Sequence, residues 1–114
     1  YAIVGMEAGA TSYFERLHQA AEEVFERIVE FPFWDEYADQ LKSDIADMAN
    51  VGGRYGSAIT AGKFLEKFTD YPYIHLDIAG PAFLEKAWNY WPQGATGIGV
   101  RLFYQFVKNE IDKR

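Results

Sequence analysis

His75 and Asp77 are the residues whose types and spacing most directly suggest chemistry, because a single leucine separates them within an apolar segment. If that segment is a β-strand, both side chains point to the same face of the sheet. Such a pair could bind a metal ion or form a His–Asp proton relay. No third ligand lies nearby in the sequence, so we favour a buried histidine whose ring nitrogen is hydrogen-bonded to a neighbour.

Two further sets of polar residues stand at helical spacing. His18 and Glu22 are four residues apart, a spacing that suits zinc, but the rest of an HExxH-type signature is absent. A two-carboxylate acid/base site could in principle use the aspartates that follow, which are Asp35, Asp39, Asp44 and Asp47. We interpret both sets as solvated helix faces, with Asp35 as the N-cap of a helix.

A glycine-rich turn at residues 94–101 precedes the last predicted helix. Turns of this kind can bind a phosphate group at a helix N-terminus. The glycine spacing is not that of a dinucleotide-binding fingerprint, and the Gly-Lys-Ser/Thr ending of a P-loop is absent. We therefore expect the glycines to serve close backbone packing.

Aromatic residues are numerous, and most of them should belong to the core. The segment 88–91, which contains Trp88, Tyr90 and Trp91, falls in a predicted loop and is harder to bury. This loop could line a pocket or contact a protein partner.

Hydrophobic periodicity predicts a strand, three helices, a second strand and a final helix. The predicted elements are residues 1–4, 12–31, 35–48, 59–68, 73–78 and 98–111. The second strand is too apolar for an exposed edge. Two strands alone make a poor sheet, and the chain opens inside a strand without methionine, so we expect an excised piece of a longer protein.

The helix predictions include specific faces. A Ser12–Glu15 capping box begins the first helix, and Glu26 lies on its solvated face. The second helix has an apolar stripe of Tyr37, Leu41, Ile45 and Met48. The third helix is predicted to face the interior with Ile59, Gly62, Leu65 and Phe68. The last has an apolar face of Val100, Phe103, Tyr104, Val107 and Ile111.

The bulk composition excludes several classes of protein. A net charge of −6 without a basic stripe argues against a nucleic-acid partner. The absence of cysteine excludes disulfide scaffolds and thiolate zinc sites and fits a cytoplasmic location. No apolar run approaches the roughly 20 residues that a membrane span requires, so we expect no membrane partner.

Several segments together resemble one family. Leu41-Lys42-Ser43-Asp44-Ile45-Ala46-Asp47-Met48-Ala49-Asn50 is followed by Gly52-Gly53-Arg54-Tyr55-Gly56, Ile59-Thr60-Ala61 and Phe64-Leu65. The most specific parts come next, His75-Leu76-Asp77-Ile78-Ala79-Gly80 and Gly94-Ala95-Thr96-Gly97 through Val100-Arg101. Their order and spacing resemble the C-terminal third of the leucyl (cytosol) aminopeptidase catalytic domain, over nearly all of residues 1–114.

The resemblance implies a fold and an activity for a parent protein. The fold would be α/β, with this chain forming the trailing portion of a three-layer α/β/α domain. The parent would be a hexameric exopeptidase that removes N-terminal residues from peptides with two divalent ions, zinc or manganese. The family signature Asn-Thr-Asp-Ala-Glu-Gly-Arg is absent here. The resemblance therefore assigns no metal ligand and no catalytic residue to this chain, which we expect to be inactive alone.

The resemblance also implies a role in substrate fit. In the family, residues at the end of the His75 strand form a wall of the pocket for the substrate's N-terminal side chain, and by position these are Ala79 and Ala82. A small residue at Ala79 leaves room for a leucine-sized group. Family members often carry a larger residue where Ala82 stands, which implies a wider pocket. Val29, Ser57 and Gly62 also depart from the family pattern and bear on substrate preference.

Two alternatives stand beside this interpretation. The chain could be a non-catalytic binding or assembly module of aminopeptidase ancestry that holds a protein ligand through the loop 88–91. It could also be a small metalloenzyme that uses His75, Asp77 and a distant carboxylate.

Overall fold

A three-stranded mixed sheet lies at the centre of the computed structural model, which describes residues 1–54 and 56–113. The strands are β1 (Ile3–Ala8), β2 (Ile28–Glu30) and β3 (Tyr73–Asp77), in the order β2-β1-β3. β2 runs parallel to β1, whereas β3 runs antiparallel to it. Two shorter strands, β4 (Phe83–Leu84) and β5 (Gly94–Ala95), form a separate antiparallel pair.

Helices cover both faces of the sheet. The helices are α1 (Thr11–Glu23), α2 (Ser57–Glu66) and α3 (Val100–Asp112). Gly5 of β1 faces α1, because a Cβ atom there would lie 2.8 Å from the Phe14 ring. On the opposite face, a Cβ atom at Gly62 of α2 would lie 3.2 Å from the His75 ring. Helices on both faces of a sheet confirm the predicted α/β class.

The main core lies between the sheet, α1 and α3. Its buried side chains come from all parts of the chain: Ile3, Phe14, Leu17, Ala20, Ala21, Ile28, Leu84, Trp91, Ile98 and Leu102. α3 packs against α1, and Arg16 and Glu110 join the two helices by an ion pair of 2.6 Å. The short pair β4–β5 contributes Leu84 to the same core, so the connection between β3 and α3 is part of the packed domain.

The first helix differs from its prediction at both ends. α1 begins at Thr11, and no side chain caps it at the predicted Ser12 position. Instead, the Glu7 carboxylate accepts a hydrogen bond of 2.9 Å from the Ala10 N–H. The helix ends at Glu23, since Phe25 adopts a φ of +55°, which a right-handed helix cannot contain. The sequence missed β2, because three residues are too short for a periodic pattern.

The predicted second helix is wrong beyond residue 41. A 3₁₀ helix covers Asp35–Leu41, with Trp34 rather than Asp35 at its N-cap. The Ser43 hydroxyl then accepts hydrogen bonds from the Ile45 and Ala46 N–H groups, at 3.3 and 3.1 Å. Such local bonds compete with a helix for the same donors. Ile45, predicted to face inward, is 99% exposed.

The exposed surface carries more apolar side chains than predicted. α2 buries Ile59 and Gly62 as expected but exposes Leu65, and Phe68 lies exposed beyond its end. Every residue of the predicted apolar face of α3 is exposed. α3 packs on the core through Leu102 and Phe106 on the adjacent face. β3 is half-buried and pairs with β1 alone among the described strands, contrary to the predicted interior position.

Candidate functional site

The turn that follows β3 brings the two predicted pocket residues together. The Ala79 N–H donates a hydrogen bond of 2.9 Å to Oδ1 of Asp77, the last residue of the strand. The Ala82 N–H donates to the Ile78 carbonyl at 2.9 Å and closes the turn. Ala79 is exposed and Ala82 is half-buried. Both small side chains therefore lie on one short turn at the end of β3.

A second segment holds this turn from the other side. The register of β4 and β5 pairs Phe83 with Ala95 and Leu84 with Gly94, which places Thr96 beside Ala82. The Thr96 N–H donates to the Ala82 carbonyl at 3.0 Å. The Thr96 hydroxyl donates to the Pro81 carbonyl at 2.7 Å, with a longer contact of 3.2 Å to the Ala82 carbonyl. Ala79 and Ala82 are thus fixed by Asp77 and Thr96.

The glycine-rich turn owes its composition to backbone conformation rather than to the close packing we expected. Gly94, Gly97 and Gly99 have φ values of +101°, +70° and +99°. A Cβ atom at Gly94 or Gly97 would meet nothing within 4 Å. Positive φ values of this kind favour glycine whatever the surrounding space.

The N-terminus of α3 is occupied by a buried carboxylate. Oε1 of Glu26 accepts hydrogen bonds from the N–H groups of Gly99, at 3.2 Å, and Leu102, at 2.8 Å. Its Oε2 lies 3.7 Å from Nε of Arg101. Glu26 is only 2% exposed, so our prediction of a solvated position is wrong. Because this carboxylate takes donors that a phosphate group would need, the turn is not a phosphate site.

The ring of His75 is hydrogen-bonded to a neighbouring side chain, which is the interpretation that we favoured from the sequence. Its Nδ1 lies 3.2 Å from the Tyr73 hydroxyl, which can donate to it when that nitrogen is unprotonated. Burial lowers the pKa of His75, and the negative charge of Asp77 opposes this shift. The two side chains share a face of β3, as predicted, but Oδ1 of Asp77 is engaged by the Ala79 N–H.

The other polar sets also lack a metal site. A ring nitrogen of His18 lies 3.2 Å from the Ile28 carbonyl, and Glu22 is exposed. The Asp35 side chain is fully exposed, and Asp39 pairs with Lys42 at the surface. Within residues 1–54 and 56–113, no group of three or more His, Asp or Glu side chains is arranged to hold a metal ion. The described residues therefore do not fit the two metal ions that the resemblance implies for the parent.

The aromatic loop is folded into the domain. The backbones of Trp88 and Trp91 exchange two hydrogen bonds of 3.0 Å across a tight turn. Trp91 is 4% exposed and belongs to the core, and Trp88 stacks on Tyr1 with a centroid distance of 4.4 Å. The Tyr90 hydroxyl donates to the Phe25 carbonyl at 3.1 Å. Trp91 therefore offers no exposed surface, whereas Tyr90 of the same loop is exposed, and the hypothesis that the loop holds a protein ligand stays a prediction.

Comparison with known sequences identifies relatives along nearly the whole chain. The profile of the cytosol aminopeptidase family, catalytic domain, matches residues 2–104. A probable cytosol aminopeptidase of Geobacter sulfurreducens is 43% identical over 111 residues, which are 96% of this chain and 22% of that protein. A probable cytosol aminopeptidase of Histophilus somni is 50% identical over 97 residues, covering 84% of this chain and 19% of that protein.

Solved structures agree with these sequence relatives. The bottromycin maturation enzyme BotP superposes with a TM-score of 0.90 and 26% identity over 97% of this chain and 25% of its own. A mutant of tomato leucine aminopeptidase superposes with a TM-score of 0.84 and 30% identity over 95% and 21%. The chain spans about a fifth of the length of the curated relatives. It belongs to the cytosol aminopeptidase family and corresponds to part of that family's catalytic domain.

Proposed function

We propose that this chain is the C-terminal part of a two-metal leucyl aminopeptidase and forms a wall of the pocket for the substrate's N-terminal side chain. The observation that carries the proposal is the turn at residues 78–82. In a chain of this family, Ala79 and Ala82 lie on this turn and are fixed by Asp77 and Thr96. Ligand pockets of enzymes are largely preformed, and a turn with fixed backbone meets that requirement.

The wall acts on substrate fit rather than on bond breaking. Two methyl side chains leave space for a leucine-sized group while the backbone behind them stays in place. The described residues offer no metal cluster, so we assign both metal ions and the catalytic side chains to the rest of the enzyme. A structure of BotP is described as a complex with Mn, which supports a divalent ion in the parent. Zinc or manganese would polarise the peptide carbonyl and activate water there.

The parent protein is proposed to be a cytoplasmic homo-oligomer that acts on peptides. The names of the relatives, which are cytosol aminopeptidases, support both the location and the substrate class. No helix in the described part of the chain is long and apolar enough to cross a membrane. The hexamer remains a proposal from the family resemblance.

The activity is tested by comparing this chain with the full-length enzyme that contains it. Leucine-amide hydrolysis is measured for both proteins with added manganese or zinc, and bound metal is quantified on the same samples. We expect turnover and stoichiometric metal for the full-length enzyme, and neither for the 114-residue chain. Turnover by the chain alone would contradict the proposal and make His75 and Asp77 candidates for catalysis.

The pocket wall is tested in the full-length enzyme by filling its space. Ala79→Leu and Ala82→Met should reduce kcat/KM for a leucine substrate roughly 10- to 100-fold more than for an alanine substrate, since one or two methylenes decide pocket fit on that scale. Ala61→Leu, at an exposed position of α2, is the matched control and should leave the ratio unchanged. Equal losses with both substrates would place the two alanines outside the pocket.

One observation favours the alternative, a non-catalytic assembly module. The apolar side chains of Phe103, Tyr104, Val107 and Ile111 are exposed along one side of α3. Exposed apolar patches often mark contact surfaces. A protein ligand that binds this chain, and is released by Val107→Asp but not by Trp34→Ala, would support that function. Val107 is chosen because its side chain is exposed, so the change alters the surface and not the core.

A further inference from the structure

Thr96 belongs to the glycine-rich turn at residues 94–101, and its hydroxyl connects three separate backbone groups. It donates to the Pro81 carbonyl at 2.7 Å and contacts the Ala82 carbonyl at 3.2 Å. It also accepts a hydrogen bond of 3.3 Å from the Ile98 N–H. A hydroxyl has one donor and two acceptor lone pairs, so Thr96 is engaged in both directions.

The segment that carries Thr96 is itself anchored to the core. The glycine-rich turn that follows it leads into α3, whose first N–H groups are held by the buried Glu26 carboxylate. Ile98, two residues after Thr96, is buried in the main core. Thr96 therefore extends from a segment anchored to the core and reaches the turn that carries Ala79 and Ala82. A pocket wall keeps a fixed geometry when rigid, well-packed residues support it from behind.

We propose that Thr96 is a specificity-positioning residue: its hydroxyl fixes the 78–82 turn and thereby sets the preference for a leucine-sized N-terminal side chain over a smaller one. This inference rests on the proposed function of that turn. Thr96 acts through the backbone of Pro81 and Ala82 and does not contact the reacting bond. Its loss should therefore affect substrates in proportion to how far their side chains reach toward the wall.

The predicted effect is a change in a ratio. Without the hydroxyl, the Pro81 carbonyl and the Ile98 N–H lose a partner, and the turn can shift away from its present position. If Ala79 and Ala82 form the pocket wall as proposed, a leucine side chain extends further toward them than an alanine side chain. We expect the ratio of kcat/KM values, leucine over alanine substrate, to fall roughly five- to tenfold, within the range that small changes in a pocket produce. The ratio is independent of the fraction of folded enzyme, because both substrates meet the same sample.

The test uses the full-length enzyme that contains this chain, with leucine and alanine p-nitroanilides as probes. Thr96→Val removes the hydroxyl with little change in the shape of the side chain. Thr96→Ser keeps the hydroxyl and removes only the methyl group. The matched control is Thr60→Val, because Thr60 is buried and its hydroxyl donates to the Ser57 carbonyl within α2, not to the 78–82 turn. A ratio that falls in Thr96→Val and stays within about twofold of wild type in the serine and control variants supports the proposal.

The contrary outcomes are distinct from one another. An unchanged leucine-to-alanine ratio of kcat/KM in Thr96→Val overturns the inference. A fall in total activity or thermal stability alone would show only that Thr96 supports the fold. If the valine variant does not fold, Thr96→Ala makes the same test without overpacking. A wild-type enzyme that turns over both substrates equally would refute the inference and leave the peptidase function intact. A wild-type enzyme that hydrolyses neither substrate would refute the proposed function itself.

Discussion

Two long connections in this chain contain similar residues but are held very differently. The 31–56 connection and the 78–99 connection both contain several glycines and several aromatic residues. The second buries Leu84, Trp91 and Ile98 in the main core. Among the described residues of the first, Leu41 is the buried hydrophobic side chain, and Ile45 and Val51 are exposed. Composition alone therefore does not decide whether a connection becomes part of the core.

The hydrogen bonds of the two connections differ in the same way. In the 78–99 connection, the Thr96 hydroxyl binds the Pro81 carbonyl and the Glu26 carboxylate binds the Gly99 N–H, at half-buried and buried positions. In the 31–56 connection, Gln40 and Ser43 bond backbone groups at exposed positions, where water competes. A connection becomes a firm support for a site when large apolar side chains anchor it and exclude water from its polar contacts.

The largest expected effect comes from removing the apolar anchor. Trp91→Ala should lower the free energy of unfolding by about 3–5 kcal/mol, as deletion of a buried aromatic side chain leaves a cavity. Trp34→Ala, in the 31–56 connection, removes a side chain that is 64% exposed and should cost about 0.5 kcal/mol or less. Urea unfolding of both variants measures the difference. Similar losses would contradict the distinction between the two connections.

The next effect concerns the buried carboxylate. Glu26→Ala leaves the Gly99 and Leu102 N–H groups without their acceptor and should cost roughly 1–3 kcal/mol. Glu26→Gln keeps an acceptor oxygen and should lose less. Asp39→Ala, at a surface ion pair of the 31–56 connection, should leave stability unchanged. Thermal unfolding ranks the three variants, and an equal loss in the alanine and glutamine variants of Glu26 would show that the hydrogen bonds are unimportant.

A smaller effect separates two glycines. Gly97 has a φ of +70°, so Gly97→Ala should cost roughly 1–2 kcal/mol through backbone strain. Gly53 has no positive φ, and a Cβ atom there would meet Oε1 of Gln40 at 2.9 Å, at the end of a flexible side chain. Gly53→Ala should therefore cost about 0.5 kcal/mol or less. Chemical denaturation of the two variants measures their free energies of unfolding. A greater loss of stability in Gly53→Ala than in Gly97→Ala would contradict the prediction.

The smallest effect tests what the 31–56 connection does contribute. Phe33 lies over the polar face of β3, with its ring centroid 6.2 Å from that of Tyr73, beside His75. Burial lowers the pKa of His75 below its ordinary value of 6.5, so the unfolded chain binds more protons than the folded chain just below that pH. Folding stability should therefore decrease as the pH falls below 6.5 through the folded pKa.

Removing Phe33 should relieve part of this burial. In Phe33→Ala, the pKa of His75 should rise toward its ordinary value, because water reaches the ring more easily. An NMR titration of the His75 ring protons measures the shift, and His18, which lies at the surface, serves as the internal control. An unchanged His75 pKa would mean that the burial comes from α2 and the sheet alone.

The sequence predicted what depends on local or repeated patterns. Periodicity predicted the strand at His75 and helices at residues 59–68 and 98–111, and the structure confirms them with small shifts in their bounds. The α/β class, which the resemblance implied, is also confirmed. The pocket role of Ala79 and Ala82 stays a prediction. The three-residue β2 and the turn at Ser43 were missed, because short elements are decided by tertiary pairing and local side-chain bonds.

Long-range partners account for the remaining errors. Glu26 looked like a surface residue, since the N–H groups that it binds stand 73 and 76 residues later in the chain. The apolar face of α3 was assigned from one helix alone, whereas packing on α1 selected Leu102 and Phe106. Trp91 was placed in a loop, but its depth depends on the β4–β5 pair that folds it back onto the core.

The unequal burial of the three tryptophans gives this molecule built-in optical reporters. Trp34 is largely in water, Trp88 is stacked face to face on Tyr1, and Trp91 is enclosed by the core. Their indole rings should therefore differ in emission wavelength and in access to a dissolved quencher such as acrylamide. A loosening of the 78–99 connection would be seen as a red shift from Trp91, while Trp34 would already emit as if unfolded. The opening of one region can thus be followed by fluorescence without attaching a dye.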